Sequence, residues 1–188
     1  MKKLLRVTLA ILALSQVKIQ AQEDSNTRTH RIRAGWQRAL TINGGDQVGG
    51  VLDAFYVGFV GDRPIAQSKV LFYSGGLEYL QNGWKTDNDN FRKIHYLSGP
   101  AALKVKIGPA FIQTGPNFNI RLAESYKLLG EDALTDETET AFFDLLWHLG
   151  IGFQISAVSI EARYSYGFTD VNHGNNNAYL QVGAGISF

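Results

Sequence analysis

The most constraining feature of this sequence is a two-residue alternation of apolar with polar or small side chains. In residues 143–155 one parity is entirely apolar, and the other carries Asp144 together with a histidine, a glutamine and glycines. Residues 158–168 repeat the pattern, with Glu161 and Arg163 on the polar parity. Because successive side chains of a β-strand point to opposite faces, this alternation predicts strands with one fully apolar face.

The alternation predicts eight strands in all. The stretch AYLQVGAGISF at 178–188 gives a third C-terminal strand. The upstream strands are marked by Ile32, Ala34 and Trp36; by Phe55, Val57 and Phe59; by Leu71, Tyr73, Leu77 and Tyr79; by Leu103, Val105 and Ile107; and by Phe118, Ile120 and Leu122. Pro100 and Pro116 fall inside predicted strands, where we expect bulges or shorter strands, since proline removes a donor from the ladder.

The connections between these strands alternate in length. Tight turns are predicted at GDRP (61–64), at 108–109 and at 156–157, and long polar connections at 43–49, 82–90, 129–140 and 172–177. Short turns on one rim and long loops on the other are typical of barrels in an outer membrane. The sequence therefore predicts an all-β fold, an eight-stranded antiparallel up-and-down transmembrane β-barrel.

The N-terminal residues have the anatomy of a signal peptide. Lys2, Lys3 and Arg6 precede the apolar run Val7 to Leu14, which is shorter than the ~18 residues that a spanning helix needs. We place cleavage after Ala21, because a small residue belongs at that point, with Gln20 or Gln22 as near alternatives. The expected organisation is a signal peptide at 1–21, a short periplasmic segment at 22–29 and an outer-membrane β-barrel at 30–188.

Composition excludes several classes of function. The whole chain has 18 basic and 17 acidic residues, and removal of residues 1–21 takes away four basic residues and no acid. The resulting acidic balance argues against a nucleic-acid partner, which requires a basic patch. There is no cysteine, so disulfides, cysteine-based metal sites and a lipid-modified cysteine are excluded. We expect no cofactor and no metal site.

A secreted soluble carrier could also be an eight-stranded barrel, but it would have an apolar interior. Here the polar faces are rich in glycine and carry isolated charges, while the apolar faces are bulky, which suits a crowded lumen and contact with lipid. From Phe143 to Phe153, ten steps of about 3.3 Å at a tilt of about 40° project to roughly 25 Å, the height of the apolar band of such barrels. We therefore favour the membrane barrel.

The predicted lumen collects charges of both signs. They are Arg33, Glu78, Lys104, Lys106, Arg121, Asp144, His148, Glu161 and Arg163. Because eight strands enclose a space that side chains can fill, we expect a salt-bridged plug, with a small channel as the alternative. Pairing the strands through the 156–157 turn places Gly150 opposite Arg163 and Gly152 opposite Glu161, so that glycine makes room for the charged side chains.

A catalytic alternative rests on His148, which the same pairing places opposite Ser165. A histidine and a serine could form a hydrolase pair, which would make the protein a lipid-modifying membrane enzyme. Asp144, however, lies four residues along the strand, about 13 Å from His148, too far to orient the imidazole. We therefore expect a hydrogen-bonded lumen network and no enzyme activity.

Three stretches carry a family resemblance: GGLEYLQNG at 75–83, YLSGPAALKVK at 96–106 and DLLWHLGIGFQI at 144–155. With eight strands and a terminal aromatic residue, the sequence resembles the PorT-like outer-membrane β-barrel proteins of Bacteroidota. The resemblance implies a small outer-membrane barrel, possible contact with secretion or envelope proteins, and outer-membrane lipid as surroundings. It also implies a signal for the barrel-assembly machinery formed by Phe188, Ile186 and Ala184. The expected function is therefore membrane integration with interactions through extracellular loops.

Overall fold

The computed structural model describes residues 28–135, 138–172 and 174–188. The expected signal peptide at 1–21 and residues 22–27 of the expected periplasmic segment lie outside the described residues. No helix within the described part of the chain is long and apolar enough to cross a membrane.

The described residues form nine antiparallel strands, eight of them long. They are β1 (Thr29–Asn43), β2 (Asp46–Pro64), β3 (Leu71–Lys85), β4 (Phe91–Ile107), β5 (Ala110–Leu128), β6 (Glu131–Asp132), β7 (Phe143–Ile155), β8 (Val158–Gly167) and β9 (Asn175–Ser187). Each long strand pairs with its neighbours along the chain, and β1 also pairs with β9, where Trp36 lies opposite Val182. The fold is therefore a closed eight-stranded up-and-down barrel, as predicted, and the two-residue β6 pairs only with β5.

The apolar face of every long strand is on the outside of this barrel. In β7 the side chains of Leu149 and Ile151 are 58% and 59% exposed, whereas Asp144 and His148 on the other parity are 0% and 1% exposed. The same alternation holds in β8, where Ile160 is exposed and Glu161 buried. An apolar exterior around a polar interior is the arrangement of a membrane barrel and the reverse of a soluble carrier.

The connections define two rims. The turn-bearing rim carries residues 65–70, 108–109 and 156–157, and the described residues of the loop-bearing rim are 44–45, 86–90, 129–135, 138–142, 168–172 and 174. The turns predicted at 108–109 and 156–157 are confirmed. In barrels of this kind the longer connections face the outside of the cell.

Two predicted connections are wrong, and two others overlap strands, since residues 82–85 belong to β3 and residues 175–177 to β9. Residues 61–64 belong to β2, and the chain turns at 65–70 instead, where Ala66 and Gln67 have positive φ angles of 48° and 61°. Most of the loop predicted at 43–49 is also strand, because the chain turns at Gly44 and Gly45 alone. Both glycines have positive φ, as a two-residue hairpin turn requires, so β1 and β2 extend as one long hairpin.

The prolines do not produce the expected bulges. Pro100 lies opposite Asn117 and Pro116 opposite Trp147 without a change of register. The one irregularity between β4 and β5 lies elsewhere, where His95 pairs with Ala123 and the next residue, Tyr96, pairs with Arg121. Leu122 is therefore an extra residue in β5, and the side-chain parity of this strand reverses there.

Candidate functional site in the barrel lumen

A cluster of five charged side chains fills the middle of the lumen. Glu78 of β3 accepts hydrogen bonds from Arg33 Nε and, at 3.0 and 3.1 Å, from Arg163 Nη2. Glu161 lies 3.0 Å from Arg33 Nη1, 3.5 Å from Arg163 Nε and 3.9 Å from Arg31 Nη2. We call these five residues the central cluster. Each carboxylate bridges at least two arginines, so no charge in the cluster lacks a partner of opposite sign.

Glycines leave the space that these long side chains occupy. A Cβ added to Gly58 would lie 2.4 Å from Glu78 Cγ, and a Cβ added to Gly150 would lie 2.7 Å from Arg163 Cγ. The register predicted between β7 and β8 is confirmed, with Gly150 opposite Arg163 and Gly152 opposite Glu161. Gly152, however, makes room for Phe111 and not for Glu161, because a Cβ added to Gly152 would lie 2.3 Å from the Phe111 ring.

A second ionic group lies nearer the turn-bearing rim. Asp62 of β2 accepts hydrogen bonds of 2.8 and 2.9 Å from Lys104 Nζ, and Lys106 Nζ lies 3.4 Å from the same carboxylate. Lys104 is fully buried, whereas the side chain of Lys106 is 21% exposed. The two ammonium groups also lie over aromatic rings, Lys104 over Phe111 at 4.8 Å and Lys106 over Phe72 at 4.3 Å.

A third ionic group, the rim cluster, ties the loop-bearing rim together. Glu124 of β5 pairs with Arg92 Nε and with Arg121 Nη1, both at 2.9 Å. Arg121 also pairs with Glu139 of the connection between β5 and β7 at 2.7 Å. Glu124 accepts hydrogen bonds from the backbone N–H and the hydroxyl of Thr140 in the same connection. These contacts hold the second half of the longest connection against the barrel.

An apolar and aromatic layer separates the rim cluster from the central cluster. It consists of Tyr56, Leu80, Ile94, Tyr96, Leu146 and Tyr179, each of which is at most 1% exposed. Asn117 donates hydrogen bonds to Tyr179 Oη at 3.0 Å and to Ser165 Oγ at 3.1 Å, and the Arg163 guanidinium lies 5.3 Å from the Tyr56 ring centre. Side chains therefore fill the lumen at this level.

The residues considered for catalysis do not form a catalytic group. His148 lies opposite Ser165 in the ladder between β7 and β8, but the Ser165 hydroxyl is bonded to Asn117. Asp144 accepts its hydrogen bond from Asn177 at 2.8 Å, and His148 Nδ1 has no hydrogen-bond partner among the described residues. In residues 28–135, 138–172 and 174–188, no three histidine or acidic side chains are grouped as a metal site.

The nine charged residues expected in the lumen are thus distributed over its whole length. Arg33, Glu78, Glu161 and Arg163 meet in the central cluster, Lys104 and Lys106 share Asp62, and Arg121 belongs to the rim cluster. Asp144 and His148 are buried outside all three groups. The sequence interpretation did not include Arg31, Asp62, Arg92 and Glu124, which supply counter-charges or further cations.

The residues expected to form the assembly signal lie at the turn-bearing rim. In β9, Ala184 and Ile186 pair with Ala34 and Ile32 of β1. Phe188 exchanges two backbone hydrogen bonds with His30, of 2.9 and 3.2 Å, and its ring lies 6.3 Å from that of Phe59. Phe188 therefore takes part in the seam that closes the barrel.

Comparison with known proteins agrees with this architecture. Residues 20–172 match the family described as outer membrane protein beta-barrel domain. The chain belongs to this family. As a member of the beta-barrel domain family it is a protein of the outer membrane.

Two solved structures share the fold of this family member. Neisserial surface protein A is 15% identical, with a TM-score of 0.56 over 85% of this chain and 97% of that chain. Ail, the attachment invasion locus protein of Yersinia pestis, is 12% identical, with a TM-score of 0.51 over 85% of this chain and 98% of that chain. These similarities show the fold alone. No curated protein sequence matches the chain.

Proposed function

We propose that this protein is a non-enzymatic, non-conducting barrel of the outer membrane that acts through the loops of its loop-bearing rim. The observation that carries the proposal is the central cluster, in which five charged side chains from the three strands β1, β3 and β8 interlock across the lumen. Opening a path would separate buried ions from their partners, which is strongly unfavourable. A barrel closed in this way acts as a scaffold, and the loop-bearing rim is the surface that binds partners.

Residues 138–140 of the loop-bearing rim are held in place for this role. The connection between β5 and β7 is held by Arg121 through Glu139 and by Arg92, which donates a hydrogen bond to the Thr138 carbonyl. A segment that is already ordered loses less conformational entropy when it binds a partner. The exposed Glu131 and Asp132 of β6 give this rim an acidic edge, while Asp136 and Glu137 of the same connection lie outside the described residues.

Conductance across a planar bilayer tests the closed lumen. The wild-type protein should give no stable channel openings at neutral pH, because the lumen is filled. The control is the double variant Tyr56→Ala plus Arg163→Ala, which removes two of the largest fully buried side chains. It should conduct once heat-modifiability on a gel shows that it is folded. Stable channels in the wild type would favour a small porin-like channel instead.

Site-directed crosslinking in cells tests the role of the rim. A photo-reactive residue at Glu131, on the loop-bearing rim, should give crosslinks to envelope or secretion proteins, and the same residue at Gly108, on the opposite rim, should not. The partner class follows from the likeness of residues 75–83, 96–106 and 144–155 to PorT-like proteins, and membership of that group is part of the proposal. Absence of crosslinks from Glu131 would contradict a loop-mediated function.

The proposal also includes two partners of the barrel itself. Outer-membrane lipid contacts the exposed apolar side chains, and the barrel-assembly machinery recognises the C-terminal strand with Ala184, Ile186 and Phe188. The catalytic alternative is tested by His148→Ala. If a lipid-directed activity of the protein were found and this variant abolished it, the non-enzymatic proposal would be wrong.

A further inference from the structure

Asp144 differs from every other buried carboxylate described in the lumen. Four buried carboxylates have basic partners within ion-pair distance: Asp62, Glu78, Glu124 and Glu161. Asp144 is 0% exposed, and among the described residues it forms no ion pair. Its one hydrogen bond comes from Asn177 Nδ2, 2.8 Å from Oδ2, and no described group donates to Oδ1.

Other unpartnered side-chain oxygens lie in the same row of the ladder. Asn119 of β5 is directly opposite Asp144, and Ser98 of β4 is directly opposite Asn119. All three side chains point into the lumen and are at most 1% exposed. Asn119 Oδ1, Ser98 Oγ and Asn177 Oδ1 have no hydrogen-bond partner within the described part of the protein. Directly opposite residues of an antiparallel pair have Cβ atoms roughly 5 Å apart, so Asn119 is adjacent to Asp144 and Ser98 is adjacent to Asn119. Asn177 reaches Asp144 through its hydrogen bond.

The backbone of β8 approaches the free carboxylate oxygen closely. Gly167 of β8 has no side chain here, and a Cβ at this position would lie 3.5 Å from Asp144 Oδ1 and 2.9 Å from the Asn177 carbonyl oxygen. A side chain at this position would crowd Asp144 and the backbone of Asn177. A buried carboxylate next to neutral oxygens supplies the ligand types of a site for a hard cation.

We propose that Asp144, Asn119, Ser98 and Asn177 form a lumenal binding site for a monovalent metal cation of the sodium class. A buried charge must be paired or coordinate a metal, and the ligands available are all hard oxygens, which suit hard cations. One carboxylate neutralises one positive charge. A divalent ion would leave an excess charge in the same lumen as the central cluster, where three arginines already face two glutamates.

The cation would enter from the loop-bearing rim. Asp144 is the second residue of β7 and therefore lies close to the connection that precedes this strand. Glu124 and Glu139 of the rim cluster lie at the same end of the barrel and would attract cations to it. The site is independent of any partner that the loops bind, so its test does not depend on the proposed function.

Thermal unfolding of the folded protein in detergent, read as heat-modifiability, tests the site. With NaCl replaced stepwise by choline chloride at constant ionic strength, the wild-type Tm should increase with the Na⁺ concentration and then saturate, as ligand linkage requires. Asp144→Asn keeps the shape of the side chain and removes its charge, so its Tm should not depend on Na⁺. Asn119→Ala should move the half-saturating concentration upward without abolishing the response.

A direct measurement distinguishes a bound ion from a general salt effect. Crystals soaked in thallium(I) acetate should show an anomalous peak between Asp144 and Asn119, and crystals of Asp144→Asn should not. Equal Tm values of the wild type in the two salts, a full Na⁺ response in Asp144→Asn, or absence of the thallium peak would each overturn the proposal. A wild type stabilised only by acid would show that Asp144 is protonated instead.

Discussion

Removing one charge from the central cluster should cost more stability than any single contact in it suggests. Glu78→Gln keeps the size of the side chain but leaves Arg33 and Arg163 to share Glu161 alone. Breaking a buried ion pair from one side typically costs roughly 3–5 kcal/mol, because the remaining charge is buried without a partner. Since Glu161 stays 3.0 Å from Arg33 and 3.5 Å from Arg163, we expect a loss of about 3 kcal/mol, the lower end of that range.

The same chemical change at the rim provides the control. Glu139 pairs with Arg121 at 2.7 Å, but its side chain is 47% exposed, so water and salt screen the pair. Glu139→Gln should therefore cost at most about 1 kcal/mol. Urea unfolding in phospholipid vesicles, followed by tryptophan fluorescence, measures both variants against the wild type.

A double variant that restores the net charge of the central cluster provides a second test. Arg33→Gln in the Glu78→Gln background returns the cluster to one excess positive charge, so it should recover part of the lost stability. Two results would contradict this expectation. The free energies of unfolding of Glu78→Gln and Glu139→Gln could differ by less than about 1 kcal/mol, or the loss in the double variant could equal the sum of the losses in its two single variants. Either result would mean that water compensates the lumen charges. The closed, interlocked plug would then be refuted.

Three further predictions concern the exterior, the packing and the closing seam. Leu149 is at the middle of β7, so Leu149→Arg should cost roughly 2–4 kcal/mol in vesicle unfolding while Leu149→Ile costs little; equal stability would contradict lipid contact. Gly58→Ala should cost about 1–3 kcal/mol by crowding Glu78, whereas Gly99→Ala, whose Cβ would have no neighbour closer than 3.8 Å, should be nearly neutral in the same urea titration. Phe188→Asp should lower the fraction of heat-modifiable barrel in membranes and Phe188→Trp should not; a normal yield of the aspartate variant would argue against an assembly signal.

In regular strands, the alternation of side chains was sufficient to predict which charged residues lie in the lumen. Glu161 and Arg163 in β8, and Asp144 and His148 in β7, lie on the face that the alternation indicates, because a strand without bulges keeps its side-chain period of two. The register between these strands also followed from the sequence, since a two-residue turn fixes which residues pair. The alternation and the turn length were therefore sufficient to predict both the side-chain face and the register of strands joined by a tight turn.

The residues that sequence analysis missed have identifiable physical causes. Asp62 lies in a Gly-Asp-Arg-Pro stretch, whose composition favours a turn, yet it has the same parity as the lumenal Tyr56 and Val60. That shared parity was the signal that could have found it. Glu124 carried no such signal, because the extra residue Leu122 reverses the parity of β5. Bulges depend on the pairing partner, which a single strand sequence does not contain.

The order of charges along the lumen connects the cation site with the closed barrel. From the loop-bearing rim inward, the rim cluster has two basic and two acidic residues, Asp144 adds one negative charge, and the central cluster has one excess positive charge. The group around Asp62 repeats that positive excess, with two lysines against one carboxylate. A cation can therefore be attracted as far as Asp144, but it then meets two successive groups of positive net charge in a filled lumen. Binding without passage follows from this order, so Na⁺-dependent stability and the absence of conductance should be found in the same protein.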